Sequence, residues 1–145
     1  MSRSVSFIIF AILAFVALVY AAPIDSKYSS ELEKRSSGMS GTFKGTGTWF
    51  LPATEGGSQG ACGPEENNNS MIVAMNRPQY GSTSKKSKWC GKKLKIKGPK
   101  GTAYAKVNDA CPECKKGDLD LTPIVFKKVI GDMNKGVGKI TWSLA

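Results

Sequence analysis

The sequence predicts an all-β domain, a small barrel of short strands with one short helix, and three observations carry that expectation. Residues 92–97 and 102–109 alternate apolar and polar side chains on either side of Gly98, Pro99 and Gly101, which is a hairpin pattern. Thr122 followed by Pro123 marks a single helix start. Val125, Phe126, Val129 and Ile130 form its apolar face, and Gly131 ends it. The remaining apolar runs after residue 40 are short and bounded by Gly, Pro and Asn, as in a small barrel.

Taken in order, the chain opens with Arg3, an apolar run over 7–20 and small residues at Ala21 and Ala22. This reads as a signal peptide, residues 1–21, because a membrane span needs about 20 apolar residues. Residues 22–35 form a polar propeptide or linker ending in Lys34 and Arg35, a dibasic processing site; the alternative is a linker that is never cut. Residues 36–40 are a flexible lead-in, and 41–145 form the domain. Residues 42–50 read as a strand in which Gly45 and Gly47 permit curvature or close backbone approach. A loop over 51–70 carries Asn68 in a glycosylation sequon with Ser70. A strand over 71–75 precedes a polar stretch reaching Ser87, which Pro78 and Gly81 mark as irregular. After the hairpin come a strand over 119–121, the helix, and a closing strand over 139–143. No internal repeat is visible.

The chain has 21 Lys and Arg against 11 Asp and Glu, a net charge of +10, and no histidine. Lys85, Lys86, Lys88, Lys92, Lys93, Lys95, Lys97 and Lys100 occupy a segment without any acid. They read either as a plain solvated face or as a surface for a polyanion. Cys62, Cys90, Cys111 and Cys114 in an exported domain point to two disulfides, and four cysteines allow three pairings. A zinc site is disfavoured without histidine. A redox Cys-x-x-Cys would lead into a helix, whereas Lys115, Lys116, Gly117 and Asp118 read as a turn. No cofactor or metal site is expected. Asp109 and Asp120 flank Cys111 and Cys114, which suggests two carboxylates gathered for polar work; the alternative is a strand end and a turn cap.

Gly45, Gly47, Thr48, Trp49 and Phe50 resemble the opening strand of the double-psi β-barrels shared by expansins, barwin-like proteins and rare lipoprotein A. Asn108 and Asp109, then Leu119, Asp120, Leu121, Thr122, Pro123 and Phe126, resemble the second half of that barrel. Gly138, Lys139, Ile140, Thr141 and Trp142 resemble its closing strand. The pattern is similar to secreted, single-domain fungal expansin-like proteins, including the loosenins. The resemblance implies a six-stranded double-psi barrel with disulfides Cys62–Cys90 and Cys111–Cys114.

It also implies polysaccharide binding through Thr48, Asp109 and Asp120, with Asp120 matching the catalytic acid of family 45 endoglucanases. Those enzymes carry a base Asp after the first strand's aromatic pair; Trp49, Phe50, Leu51 and Pro52 offer no carboxylate, so hydrolysis should be weak or absent. Trp49 is either a stacking aromatic or core; Tyr104, Tyr80 and Trp89 are further aromatic candidates, and Trp142 is assigned to the core. The plant His-Phe-Asp signature is missing, and Ala110 and Cys111 stand where bacterial expansins place a tyrosine. The expected function is a secreted, extracellular, monomeric protein without a membrane span. It would bind chitin or cellulose in the cell wall and loosen it without hydrolysis, with an anionic surface as a further partner. The alternatives are a protein-interaction module, such as a cysteine-protease inhibitor or effector, and a weak endoglucanase or lytic transglycosylase.

Overall fold

The computed structural model of the protein describes residues 38–55 and 57–145. The expected leader, the segment 22–35 with Lys34 and Arg35, and residues 36 and 37 of the lead-in lie outside the described residues. Met39, in that lead-in, packs against the core. Six strands are present: β1 Phe43–Trp49, β2 Ile72–Asn76, β3 Lys93–Lys97, β4 Thr102–Cys111, β5 Leu119–Leu121 and β6 Gly138–Leu144. They close into a barrel in the order β1-β5-β2-β4-β3-β6.

Pairing in the barrel is two-fold even though the residues show no repeat. β1 runs parallel to β5 and antiparallel to β6, just as β4 runs parallel to β2 and antiparallel to β3. The β2–β5 and β3–β6 pairs are antiparallel and join the two halves. Topology, not sequence, carries the symmetry.

Among the described residues two short α-helices, α1 Arg77–Tyr80 and α2 Pro123–Val129, and a 3-10 turn over Met133–Lys135 accompany the barrel. The first replaces part of the expected irregular loop. Asn76 accepts from the Gln79 amide at 3.0 Å, Pro78 fits the first turn, and Gly81 leaves it at φ 93°. Thr122 does precede α2, but its hydroxyl makes no cap. It donates instead to the carbonyls of Ser70 at 2.6 Å and Ile72 at 3.2 Å, tying α2 to β2. Gly131 follows the helix at φ 105°, and its amide donates to the Phe126 carbonyl.

Alternation fills the core. In β3, Leu94 and Ile96 are fully buried between exposed lysines; in β5, Leu119 and Leu121 are buried around Asp120. Val125, Phe126 and Val129 of α2 plug one end of the barrel. Trp142 is core as expected, stacked on Phe43 at 4.4 Å between ring centres and edge-on to Trp89 at 5.6 Å. Trp89 and Tyr80 are therefore packing residues rather than groove aromatics. Both are buried, and the Tyr80 hydroxyl lies 3.6 Å from the Cys90 sulfur.

The disulfides are Cys62–Cys90 and Cys111–Cys114. The first ties the 51–70 loop to the approach to β3 across 28 residues, worth about 3–4 kcal/mol of loop-closure entropy.

One close backbone approach packs β1 against the turn that leads into β5. Gly45 of β1 lies so close to Gly117 that an added Cβ would stand 2.3 Å from the Gly117 carbonyl oxygen. That oxygen accepts from Trp142 Nε1 at 2.7 Å, and the Gly117 amide donates to Gln79 Oε1 at 3.0 Å. Gly45→Ala must separate backbones and should cost about 3 kcal/mol or more in urea unfolding. Gly136→Ala, at φ 66° with open space around it, should cost about 1–2 kcal/mol.

Candidate functional site

A single row of cross-strand partners builds the floor of an open cleft. Thr48 of β1 pairs with Asp120 of β5, Asp120 with Ala74 of β2, and Ala74 with Asp109 of β4. Residues in one row share one face of the sheet, so Thr48, Asp120 and Asp109 emerge side by side on the outside of the barrel. Two strand spacings separate Asp120 from Asp109, about 9–10 Å between Cα atoms. Ala74 lies between them, small enough to leave the floor open. Nothing local in the sequence marks it; only the register does.

Asp109 reaches that face through a bulge. Val73 pairs with Val107, but the next residue, Ala74, pairs with Asp109, which leaves Asn108 as the extra residue in β4. Plain alternation would turn Asp109 inward after buried Val107; the extra residue turns it out. The bulge is satisfied from the 51–70 loop. The Asn108 carbonyl accepts from the Cys62 amide at 3.0 Å, and its side-chain amide donates to the Pro64 carbonyl and to Glu66 Oε2. Asp109 Oδ1 in turn accepts from the amides of Ala61 and Ala110, both at 2.8 Å.

The cleft has a volume of about 690 Å³. One wall is the disulfide-closed turn with Pro112 and Glu113; the other is Glu55, Gln59 and Ala61 of the long loop. Asp118 lies beside the row, accepting from the Thr46 amide at 2.7 Å. Five carboxylates thus line one cleft of a chain with net charge +10: Glu55, Asp109, Glu113, Asp118 and Asp120. Glu55 is not adjacent to Trp49 in sequence but lies six residues further along the chain. A turn brings it back, its amide donating to the Leu51 carbonyl and its Oε2 accepting from the Leu51 amide at 3.1 Å.

Burial pushes the Asp120 carboxyl above its ordinary value. The Thr48 hydroxyl, donating to Oδ1 at 2.7 Å, works against that rise, and the charges of Glu55 and Asp109 add to it. Glu66 lies behind the bulge, buried, and desolvation likewise raises it; its Oε1 has no protein partner.

The remaining candidates lie elsewhere. Trp49 points to the opposite side of β1 from Thr48, partly buried, its indole N–H donating to the Met133 carbonyl at 3.1 Å. It lines a separate depression that includes Asn68 and Ile124. Tyr104 is 46% exposed on the outer face of β4, beside Lys93 and away from the cleft. Phe50, not singled out in the sequence, is the aromatic that the cleft contains. Of the lysine segment, Lys93, Lys95 and Lys97 share the outer face of β3, while Lys85 and Lys86 belong to the preceding loop and Lys92 directly precedes the strand. No helix among the described residues is long and apolar enough to cross a membrane.

No family model matches the chain. Expansin-YoaJ of Bacillus subtilis is 38% identical over 71 residues, 49% of this chain and 30% of that protein. A mutant expansin of Clavibacter michiganensis, solved in complex with cellohexaose, matches with a TM-score of 0.60 at 29% identity, over 72% of this chain and 50% of that one. The chain is similar to expansins over part of their length. Its barrel is of the double-psi type. The chain spans half or less of the length of these two relatives. The Streptomyces papain inhibitor aligns with a TM-score of 0.61 at 23% identity over 94% of its length, a likeness of fold.

Because the folded state favours protonated Asp120, its contribution to stability is full below the ordinary value of 3.8 and is lost as pH rises through the raised folded value. Asp120→Asn removes that loss. The variant should melt above the wild type at pH 7, and the gap should close in thermal melts as pH falls toward 3.8.

Proposed function

We propose that this is a secreted protein that binds a neutral cell-wall polysaccharide, cellulose or chitin, in the acidic cleft and loosens it without hydrolysis. The observation that carries this reading is the Thr48–Asp120–Ala74–Asp109 row, which forms an open floor flanked by polar walls. A sugar chain presents hydroxyls at its edge. Carboxylates accept from these, the Thr48 hydroxyl orients Asp120, and Phe50 adds apolar contact. Competing for hydroxyls in this way weakens contacts between packed chains, which is loosening without bond cleavage. The cellohexaose held by the Clavibacter expansin supports a β-linked glucan as ligand. The two disulfides suit an oxidising, extracellular setting. The protein acts as a monomer.

Glu55 favours a second reading, weak hydrolysis or transglycosylation. A protonated Asp120 could serve as the acid, with a second carboxylate in the same cleft to activate water. The engagement of Glu55 Oε2 with the Leu51 amide places it as a wall and speaks for the first reading.

Pull-down on insoluble cellulose and chitin checks both. The wild type should bind and retain binding at moderate salt, and Asp120→Asn should bind about tenfold more weakly, the loss of one charge-assisted hydrogen-bonding group. Reducing ends should not accumulate. Sugar release that disappears in Glu55→Gln would establish the second reading instead.

A further inference from the structure

Charge on this barrel is sorted by face: carboxylates line the cleft, and lysines stand on the outer face of β3. On the outside of β3, Lys93, Lys95 and Lys97 are exposed at successive outward positions, about 6.5–7 Å apart. Register extends this line sideways. Lys93 pairs with Lys106 of β4, and Lys95 lies between Tyr104 and Ser143. Lys97 lies between Thr102 and Thr141, and Thr141 pairs onward with Lys44 of β1. Neither β3 nor β6 contains an acid, and the outward residues of β4 up to Lys106 are Thr102, Tyr104 and Lys106. The result is an outer face of β4, β3 and β6 with five lysines (Lys93, Lys95, Lys97, Lys106 and Lys139), the hydroxyls of Thr102, Thr141 and Ser143 and one exposed aromatic ring, with Lys44 of β1 adjoining it.

Two features set this face apart from ordinary solvated lysines. Lys93 and Lys106 are directly opposite each other, an arrangement that destabilises a strand pair, and the facing strand residues of β3 and β4 up to Lys106 include no carboxylate. Lys93 also leans over the Tyr104 ring, 5.2 Å from its centre, in the middle of the charged rows. An exposed ring and hydroxyls among lysines match a sugar ring that carries an anionic group.

We infer that the outer face of β4, β3 and β6 is a second binding surface, for an acidic polysaccharide of the polyuronate type. The five carboxylates lining the cleft would repel such a polymer, which directs it to the lysine-bearing outer face, while a neutral glycan takes the cleft. Nucleic acid is the poorer fit. The face has no arginine for bidentate phosphate or base contacts and a single aromatic, where single-stranded readers use several. Two surfaces of opposite charge would let one molecule engage an acidic matrix and a neutral glycan together. This inference does not rest on the cleft reading.

The test is affinity electrophoresis of the purified protein in gels containing polygalacturonate, with a single-stranded oligonucleotide of comparable charge in parallel gels. The wild type should be retarded by polygalacturonate, and the Lys93→Gln, Lys95→Gln, Lys97→Gln triple variant should lose at least about tenfold in affinity. Tyr104→Ala should weaken polygalacturonate binding in a buffer where salt has removed most oligonucleotide binding. Far-UV circular dichroism and thermal melts should be unchanged in both variants, which shows that they are folded. Equal retardation of wild type and triple variant would overturn the assignment. So would oligonucleotide binding as tight as polygalacturonate binding and indifferent to Tyr104. Loss of cellulose binding in Asp120→Asn with polygalacturonate retardation intact would separate the two surfaces.

Discussion

Barrel closure gives every strand one face for the core and one for solvent, so a carboxylate can reach the surface only at alternate positions. β4 interrupts that alternation at Asn108. The extra residue turns Asp109 outward into line with Ala74, Asp120 and Thr48, and the cleft floor depends on that alignment. The same residue anchors the long 51–70 loop through the Cys62 amide, the Pro64 carbonyl and Glu66. Together with the Cys62–Cys90 disulfide and the Ala61 amide on Asp109, this anchor fixes the loop wall with Glu55, Gln59 and Ala61. Gly60 belongs to the same device: an added Cβ would stand 2.5 Å from the Asn108 carbonyl oxygen.

The site is held at some energetic disadvantage. Asp120 is raised chiefly by burial and further by neighbouring carboxylates, and Glu66 is buried with one oxygen unpartnered. Compensation comes from the covalent and aromatic framework: two disulfides, the Phe43–Trp142–Trp89 stack, and the Gly45–Gly117 crossing that Trp142 secures. Stability is concentrated in the core, while Asp120 in the cleft and Glu66 behind it carry the cost of burial.

Much of the fold was legible in the residues because its signals are local. Lys93–Lys97 alternates cleanly, and Leu119–Leu121 carries its polar residue in the middle; the Thr122–Pro123 boundary is plain. Helix α1 was missed because Pro78 and Gly81 read as loop punctuation when they open and close a single turn capped by Asn76. Asp109 and Asp120 could be picked from the resemblance. Glu55, Glu113, Asp118, Ala74 and Phe50 could not, since long-range register and a folded-back loop bring them to the cleft. Aromatics misled for a related reason. Trp89 and Tyr80 are placed by a disulfide-linked loop that packs them inward, and Trp49 follows strict alternation away from Thr48.

The central claim is that the row from Thr48 to Asp109 is a glycan-binding floor. Titration of the labelled protein with cellohexaose or a chitin oligomer, followed by amide shifts, addresses it residue by residue. Perturbations confined to Thr48, Ala74, Ala110 and Asp120, with β3 silent, are the result this account requires. Shifts centred on Lys93–Lys97 and Tyr104, or none at millimolar oligosaccharide, would contradict it.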